Sequence, residues 1–181
     1  MKIILAPMEG VIDFAMREIL TESGSYDHAV TEFIRVNDHL LSKSSFHKYS
    51  PELLKGGQTK SGTSVYIQLL GQHKDWMAEN AYRAWEVGAP GIDLNFGCPA
   101  RTVNNHKGGS ILLREPDVVH GIVKAVRQAV PDAIPVTVKM RLGYEDKTLA
   151  IENALAIEEA GASSLAVPAR TKLEGYIPPA H

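Results

Sequence analysis

The chain has 181 residues, of which 44% are hydrophobic and 22% are charged, and its formal net charge is −2. This composition is that of a globular protein with one sizeable core. The net charge excludes the overall positive potential of many nucleic-acid binders, although a local basic patch would not be visible in the net charge. The single cysteine excludes an internal disulfide, and no apolar run approaches the roughly 20 residues that span a bilayer, so we expect a soluble cytoplasmic protein.

From the N-terminus onward, the chain alternates between the periodicities of strands and helices. Residues 3–8 form an apolar run that is too short for the core of a signal peptide, so we expect a buried strand there. We expect residues 35–41 to form a helical turn and residues 46–62 to be an irregular segment. The predicted strands are residues 3–8, 29–32, 65–69, 91–95, 135–141 and 164–167, and the predicted helices are residues 9–23, 75–87, 111–113, 116–130 and 149–160.

This order of elements predicts an α/β fold with a parallel sheet and helices outside it. Two architectures fit, an open doubly wound sheet and a (β/α)8 TIM barrel. Thr137, Lys139 and Arg141 share one face of a predicted strand whose other face is apolar. The barrel is favoured because its inner face opens at the C-terminal mouth, whereas a sheet covered on both sides would not accommodate Lys139. Only six strands are found and eight need about 250 residues, so we expect a partial barrel with open edges.

Cys98 lies in the segment GIDLNFGCPARTVNNHKGG, at residues 91–109, directly after a predicted strand. A thiol held between Gly97 and Pro99 at the mouth of a strand suits chemistry, although a lone cysteine is also a common small buried hydrophobe. With an ordinary pKa of about 8.5, the thiol is mostly protonated at neutral pH, which suits a general acid better than a nucleophile. The glycine pair at 108–109 either seats an anion at a helix start or forms a simple turn.

Polar side chains from several strands would meet at the mouth of such a barrel. The amides of Gln68 and Asn95 suit the edge of a planar heterocycle, or they form a polar layer inside the barrel. Lys139 either binds an anionic or polar partner or makes a structural ion pair with Asp93 or Glu32. The seven histidines are scattered, so we expect no metal site, and neither a P-loop nor a GxGxxG motif is present. The expected mouth residues are Met8, Gln68, Asn95, Cys98, Lys139 and Arg141.

Five motifs together resemble those of the tRNA-dihydrouridine synthases, and the resemblance extends over nearly all 181 residues. DLNFGCP is the most specific of the five. The spacing from TEFIRV at residues 31–36 to residues 170–172 is most similar to the subgroup that acts on uridine 16 of the D loop. The motifs are APMEGV at residues 6–11, TEF at 31–33, QLLGQ at 68–72, DLNFGCP at 93–99 and VKMRLG at 138–143.

The resemblance implies a flavoprotein with an FMN-binding barrel, followed by a helical domain that grips tRNA. NADPH would reduce the FMN, and the flavin would give a hydride to C6 of a flipped-out uracil while Cys98 protonates C5 as general acid. Residues 1–181 would be the N-terminal part of the barrel, without its last strands and without the helical domain. The positions that match FMN contacts are Pro7, Met8, Gln68 and Lys139. The positions that match substrate contacts are Asn95, Arg141 and Arg35.

Two features depart from the family pattern. The family motif His-Ala-Arg-Thr supplies a histidine to FMN, whereas this chain has Pro168 there, which offers no imidazole. The seventh and eighth strands, whose loops bind the phosphate in barrels of this type, are not found. Three hypotheses remain: an FMN-dependent tRNA uridine reductase, a truncated and inactive barrel fragment with weak or no FMN binding, and an FMN barrel oxidoreductase acting on a small molecule. The TEF and GCP motifs argue against the third.

Overall fold

The computed structural model describes residues 2–181, whose strands form one parallel sheet in the order β1-β2-β4-β5-β6-β7, with the short β3 paired to β4. Within these residues β1 pairs only with β2 and β7 only with β6, so the sheet is a half-barrel with two free edges. The predicted α/β partial barrel of about six units is confirmed, because β2 and β3 are two segments of the second unit. The strands are β1 (Ile4–Leu5), β2 (His28–Val30), β3 (Ile34–Arg35), β4 (Val65–Leu70), β5 (Ile92–Phe96), β6 (Val136–Met140) and β7 (Ser164–Ala166).

Helices follow the strands, as a βα repeat requires. None of the helices within residues 2–181 is long and apolar enough to cross a membrane. Two 3₁₀ helices, at Pro51–Lys55 and Gly109–Arg114, interrupt the longer loops. The α-helices are α1 (Phe14–Ser23), α2 (Lys43–Tyr49), α3 (Lys74–Glu86), α4 (Arg101–Asn104), α5 (Pro116–Ala129) and α6 (Ala150–Glu159).

The core lies between the outer face of the sheet and helices α3 and α5. Alternate residues of β4, β5 and β6 point to this face, and each is at most 2% exposed. Burying one such side chain stabilises the fold by roughly 1.5–3 kcal/mol. The same alternation sends the polar residues of these strands to the inner face. The outward side chains are Ile67, Leu69, Ile92, Leu94, Phe96, Val136, Val138 and Met140.

Helix α1 begins at Phe14, so the prediction that it begins at residue 9 is wrong. Asp13 is its N-cap, and the Asp13 carboxylate accepts a hydrogen bond from the backbone N–H of Met16 at 2.9 Å. The residues before it instead form a turn, in which the N–H of Ile12 donates to the carbonyl oxygen of Met8.

The segment between β2 and β4 also differs from the prediction. The expected helical turn at residues 35–41 is wrong, because Arg35 belongs to β3 and pairs with Leu70. The expected irregular segment at 46–62 contains the end of α2 and a 3₁₀ helix. Ser42 caps α2, and Phe46 on its inner face is fully buried. This segment therefore packs against the barrel wall.

Candidate active site

The inner face of the sheet carries two layers of polar side chains. In the lower layer Gln68 is paired with Asp93, and Asp93 with Thr137. Two residues further along the strands, Asn95 is paired with Lys139. The predicted alternation of polar and apolar residues on these strands is confirmed, and it brings the polar groups toward one end of the sheet.

A chain of hydrogen bonds links the two layers. The hydroxyl of Thr137 donates to Asp93 Oδ1, and Gln68 Nε2 donates to Asp93 Oδ2 at 2.6 Å. Gln68 Oε1 then accepts from Asn95 Nδ2 at 2.8 Å. Each of these side chains is buried, so the bonds satisfy groups that water does not reach.

The turn that carries Cys98 is held on both sides by side chains. Asn95 Oδ1 accepts hydrogen bonds from the backbone N–H groups of Gly97 and Cys98, both at 2.9 Å. The carbonyl oxygen of Cys98 accepts from Asn104 Nδ2 at 3.0 Å and from the Ser110 hydroxyl at 2.9 Å. The stiff turn predicted from Gly97 and Pro99 is therefore present. Side chains from three separate segments hold it in place.

The glycine pair at 108–109 lies directly against the Cys98 turn. Gly109 has a φ of +67°, which few residues other than glycine adopt. A Cβ at Gly109 would lie 2.8 Å from the carbonyl oxygen of Cys98. Gly109 therefore allows the loop to approach Cys98 closely enough for Ser110 to donate to it.

Arg141 directs its guanidinium at backbone oxygens. Nε donates to the carbonyl of Gly97 at 3.0 Å, and Nη1 donates to those of Thr171 and Gly175 at 2.9 and 3.1 Å. Its guanidinium carbon also lies 5.4 Å from the centre of the Tyr176 ring. Arg141 thus ties the segment after β7 to the Cys98 turn.

Lys139 and Asp93 place two charges on the inner face. Burial raises the pKa of the Asp93 carboxyl to about 6, against the opposing effects of its hydrogen bonds from Thr137 and Gln68 and of the Lys139 charge. Burial also lowers the pKa of the Lys139 ammonium, while the Asp93 charge opposes that shift. Among the described residues no hydrogen bond or ion pair to Lys139 Nζ is found. The Lys139 ammonium is therefore available to a bound group.

Cys98 presents a thiol that stays protonated at neutral pH. Burial raises its pKa above the ordinary value, and a backbone hydrogen bond from Ala100 opposes this shift. Among nearby charges, Glu9 raises the pKa further, whereas Arg35 and Arg141 lower it. An uncharged thiol of this kind can donate a proton, which is the role that the sequence favours.

Gln68, Asn95 and Lys139 of the polar layers line a cavity of about 510 Å³ together with the Cys98 turn. Such a volume is within the roughly 300–1,000 Å³ of ligand and cofactor pockets. The apolar part of its wall includes Phe33 and Ala100, and Pro168 and Tyr176 lie on the side of the segment after β7. Seven of the eight predicted site residues line this cavity: Pro7, Met8, Gln68, Asn95, Cys98, Lys139 and Arg141.

Arg35 is the predicted site residue that lies elsewhere. It lines a neighbouring cavity of about 410 Å³, together with Asp38, His73 and His106. His73 and Asp38 form an exposed pair at 3.1 Å on its rim. This cavity is lined by the loops that follow β3 and β4.

Sequence reasoning did not identify Asn104, Ser110 and Tyr176 as part of the site. Asn104 and Ser110 reach Cys98 only because α4 and the following loop fold back over the turn. The one local signal was the glycine pair before Ser110. Across residues 2–181, no three His, Cys, Asp or Glu side chains are close enough together to hold a metal ion.

Comparisons with known proteins show the family to which the chain belongs. A family model described as dihydrouridine synthase (Dus) matches residues 4–181. The chain is 59% identical over 181 residues to the tRNA-dihydrouridine(16) synthase of Shewanella oneidensis, with 100% of this chain and 58% of that protein covered. It is 54% identical over 181 residues to the protein of the same name from Aquipseudomonas alcaligenes, with the same 100% and 58% covered. It is 56% identical over 176 residues to that from Vibrio parahaemolyticus, with 97% and 55% covered.

The chain therefore spans a little over half the length of the curated relatives that it matches. Among solved structures, a variant of NCR from Zymomonas mobilis superposes with a TM-score of 0.63 over 92% of this chain and 63% of that one. The identity is 13%, so this likeness concerns the fold alone.

Proposed function

Because the chain belongs to the dihydrouridine synthase family, we propose that it supplies the N-terminal part of an FMN-binding barrel that reduces a uridine of tRNA to 5,6-dihydrouridine. Relatives named tRNA-dihydrouridine(16) synthase favour uridine 16 as the target. The remaining barrel strands and a helical tRNA-binding domain are proposed for the part of the relatives that this chain does not span. NADPH is the proposed reductant.

The observation that carries the proposal is the Cys98 turn at the edge of the cavity that Gln68, Asn95 and Lys139 also line. Side chains hold both the N–H and the carbonyl of Cys98, and burial keeps its thiol protonated. A general acid must be positioned and must carry its proton at the working pH. Cys98 meets both requirements.

The lining of the cavity fits a flavin. Pro7 and Met8 offer an apolar wall, and the Gln68 amide offers polar groups to the edge of a heterocycle. Lys139 adds a cation with no partner among the described residues, which suits an electron-rich ring or an anionic group. We therefore propose that these four residues hold FMN. When bound, FMN would supply the hydride that saturates C6 of the uracil.

The residues of the chain would do the rest of the chemistry. The Cys98 thiol would donate its proton to C5, so that hydride and proton together convert the C5–C6 double bond to a single bond. Asn95 and Arg141, beside the turn, would orient the uracil, and Arg35 in the neighbouring cavity would contact the substrate outside the reacting base. Removal of a base from its stack is the general solution for enzymes that act on bases.

The proposal is tested by titrating the purified chain with FMN and following the visible absorption band. We expect a saturable, perturbed band, and then NADPH-dependent conversion of an unmodified tRNA, detected as a mass gain of two hydrogens. Cys98→Ala is the matched variant, since it removes the thiol alone. It should bind FMN as the wild type does and form no dihydrouridine.

Each outcome separates the hypotheses that the sequence leaves open. An FMN spectrum that the protein does not change would contradict the flavin site and favour an inactive fragment. FMN binding and NADPH oxidation without any change in tRNA would favour a small-molecule substrate. Dihydrouridine formation by Cys98→Ala would refute the acid role of Cys98.

A further inference from the structure

The hydrogen bonds that lead to Cys98 can run in only one direction. Asn95 Oδ1 accepts two backbone N–H groups of the turn, so its Nδ2 must face Gln68. Gln68 must then present Oε1 to Asn95 and Nε2 to Asp93. Position 93 therefore has to offer an acceptor, because a donor there would leave two N–H groups facing each other.

We propose that Asp93 is a positioning residue for the proposed reaction, whose buried carboxylate fixes the direction of the Gln68 and Asn95 amides and so holds the Cys98 turn in place. The inference deepens the proposed function and rests on it for its meaning in catalysis. Asp93 itself does not line the cavity, so it acts through the other two side chains.

The hydrogen bonds of Asp93 support this role over that of a buried polar residue without a specific partner. Asp93 is 5% exposed, and a buried carboxylate is costly unless hydrogen bonds reach its oxygens. Both oxygens are used, one by Thr137 and the other by Gln68. Only the second bond leads to Cys98. The two bonds can therefore be tested separately.

The test uses the single cysteine as its own probe. The rate at which iodoacetamide alkylates Cys98 at a fixed, mildly alkaline pH reports how well the turn is held, and it needs neither FMN nor tRNA. Asp93→Leu removes the acceptor and should speed alkylation at least about fivefold, the equivalent of about one net hydrogen bond. Asp93→Asn can still turn its oxygen to Gln68 and should stay within about twofold of the wild type.

Thr137→Val is the matched control at the other oxygen of Asp93. It removes a hydrogen bond of the same buried carboxylate but leaves the link to Gln68, so its alkylation rate should equal that of the wild type. If Asp93→Leu does not unfold cooperatively, Gln68→Met breaks the same chain one link later with Asp93 in place. It should speed alkylation to a similar extent.

Wild-type alkylation rates in folded Asp93→Leu or in Gln68→Met would overturn the proposal. So would an Asp93→Asn rate as high as that of Asp93→Leu, because the asparagine keeps the acceptor. Failure of the proposed function would be seen separately, as a chain that does not bind FMN or reduce tRNA. The alkylation rate of Cys98 would still show, in that chain, whether Asp93 holds the turn.

Discussion

Arg17 and Glu52 form an ion pair in which both side chains are 0% exposed. Arg17 Nε donates to Glu52 Oε1 at 2.8 Å, and Nη2 donates to Oε2 at 3.1 Å. Arg17 Nη1 also donates to the carbonyl oxygen of Ile12, and Nη2 to that of Tyr49. Since Ser50 also donates to Glu52, every nitrogen of the Arg17 guanidinium and both oxygens of the Glu52 carboxylate have a partner, and the pair fastens the segment between β3 and β4 to α1.

Breaking this pair should be far more destabilising than breaking one at the surface. We expect Glu52→Leu to lower the free energy of unfolding by about 3–5 kcal/mol, because it leaves the Arg17 charge buried without its partner. The double variant Arg17→Met with Glu52→Leu should recover most of the loss, since no charge is then left unpaired. Urea unfolding measures both. A single variant that loses less than about 1 kcal/mol, the range of exposed pairs, would contradict the buried geometry.

The same pair explains which parts of the fold the sequence could predict. A strand is present at each of the six predicted places, and those of β4, β5 and β6 follow from the alternation of their side chains, which is a local signal. The buried strand predicted at 3–8 is wrong in extent and burial: only Ile4–Leu5 forms β1, and Ile4 is exposed because β1 is an edge of the sheet. The prediction of an irregular segment at 46–62 is wrong because Arg17 and Glu52, which hold this segment, are 35 positions apart. The start of α1 was misassigned because the Asp13 cap outweighs the apolar pattern before it.

The site was likewise predictable where it depends on local patterns and not where it depends on contacts between distant segments. Gln68, Asn95 and Lys139 follow from alternation, and Cys98 follows from its turn. The use of Arg141 on the carbonyls of Thr171 and Gly175 depends on how the segment after β7 returns, which no local pattern encodes. Arg35 faces the other cavity for a similar reason, since β3 is a short second segment of its unit.

The Cys98 thiol should ionise at a pH above the ordinary value for cysteine. Because burial raises its pKa, the ultraviolet absorbance of the thiolate should appear only at more alkaline pH in the folded protein than in the urea-unfolded chain. Glu9→Gln should move the folded midpoint down and Arg35→Gln should move it up, because the first removes a negative charge and the second a positive one. Shifts of the same sign in both variants would contradict this electrostatic account.

Replacing Pro168 should strengthen the proposed flavin site. Pro168 lines the same cavity as Lys139 and Cys98, and its ring offers no hydrogen bond. Pro168→His adds an imidazole at this wall, and we expect the Kd for FMN to fall by about fivefold to tenfold, the value of one net hydrogen bond. Pro168→Ala controls for the restored backbone N–H and should leave the Kd unchanged. Equal gains in both variants would assign the effect to the backbone.

The Asp93 carboxyl should make the stability of the protein depend on pH. It titrates near 6 in the folded protein and near the ordinary 3.8 when exposed, because burial disfavours its charge. Between these values the folded state holds a proton that the unfolded state has lost, so the free energy of unfolding should fall as pH rises from about 4 to about 6.

Asp93→Asn isolates this effect, because the two proteins share every other titrating group. The variant has no charge to bury, so its stability relative to the wild type should improve by about 2.4 kcal/mol between pH 4 and pH 7. Urea unfolding at a series of pH values measures the difference. A constant difference across the range would mean that Asp93 titrates alike in both states, whereas an improvement toward acid pH would mean that the folded protein favours the charged form. The expected improvement toward neutral pH requires that the fold disfavours the charged carboxylate of Asp93, even with Thr137, Gln68 and Lys139 beside it.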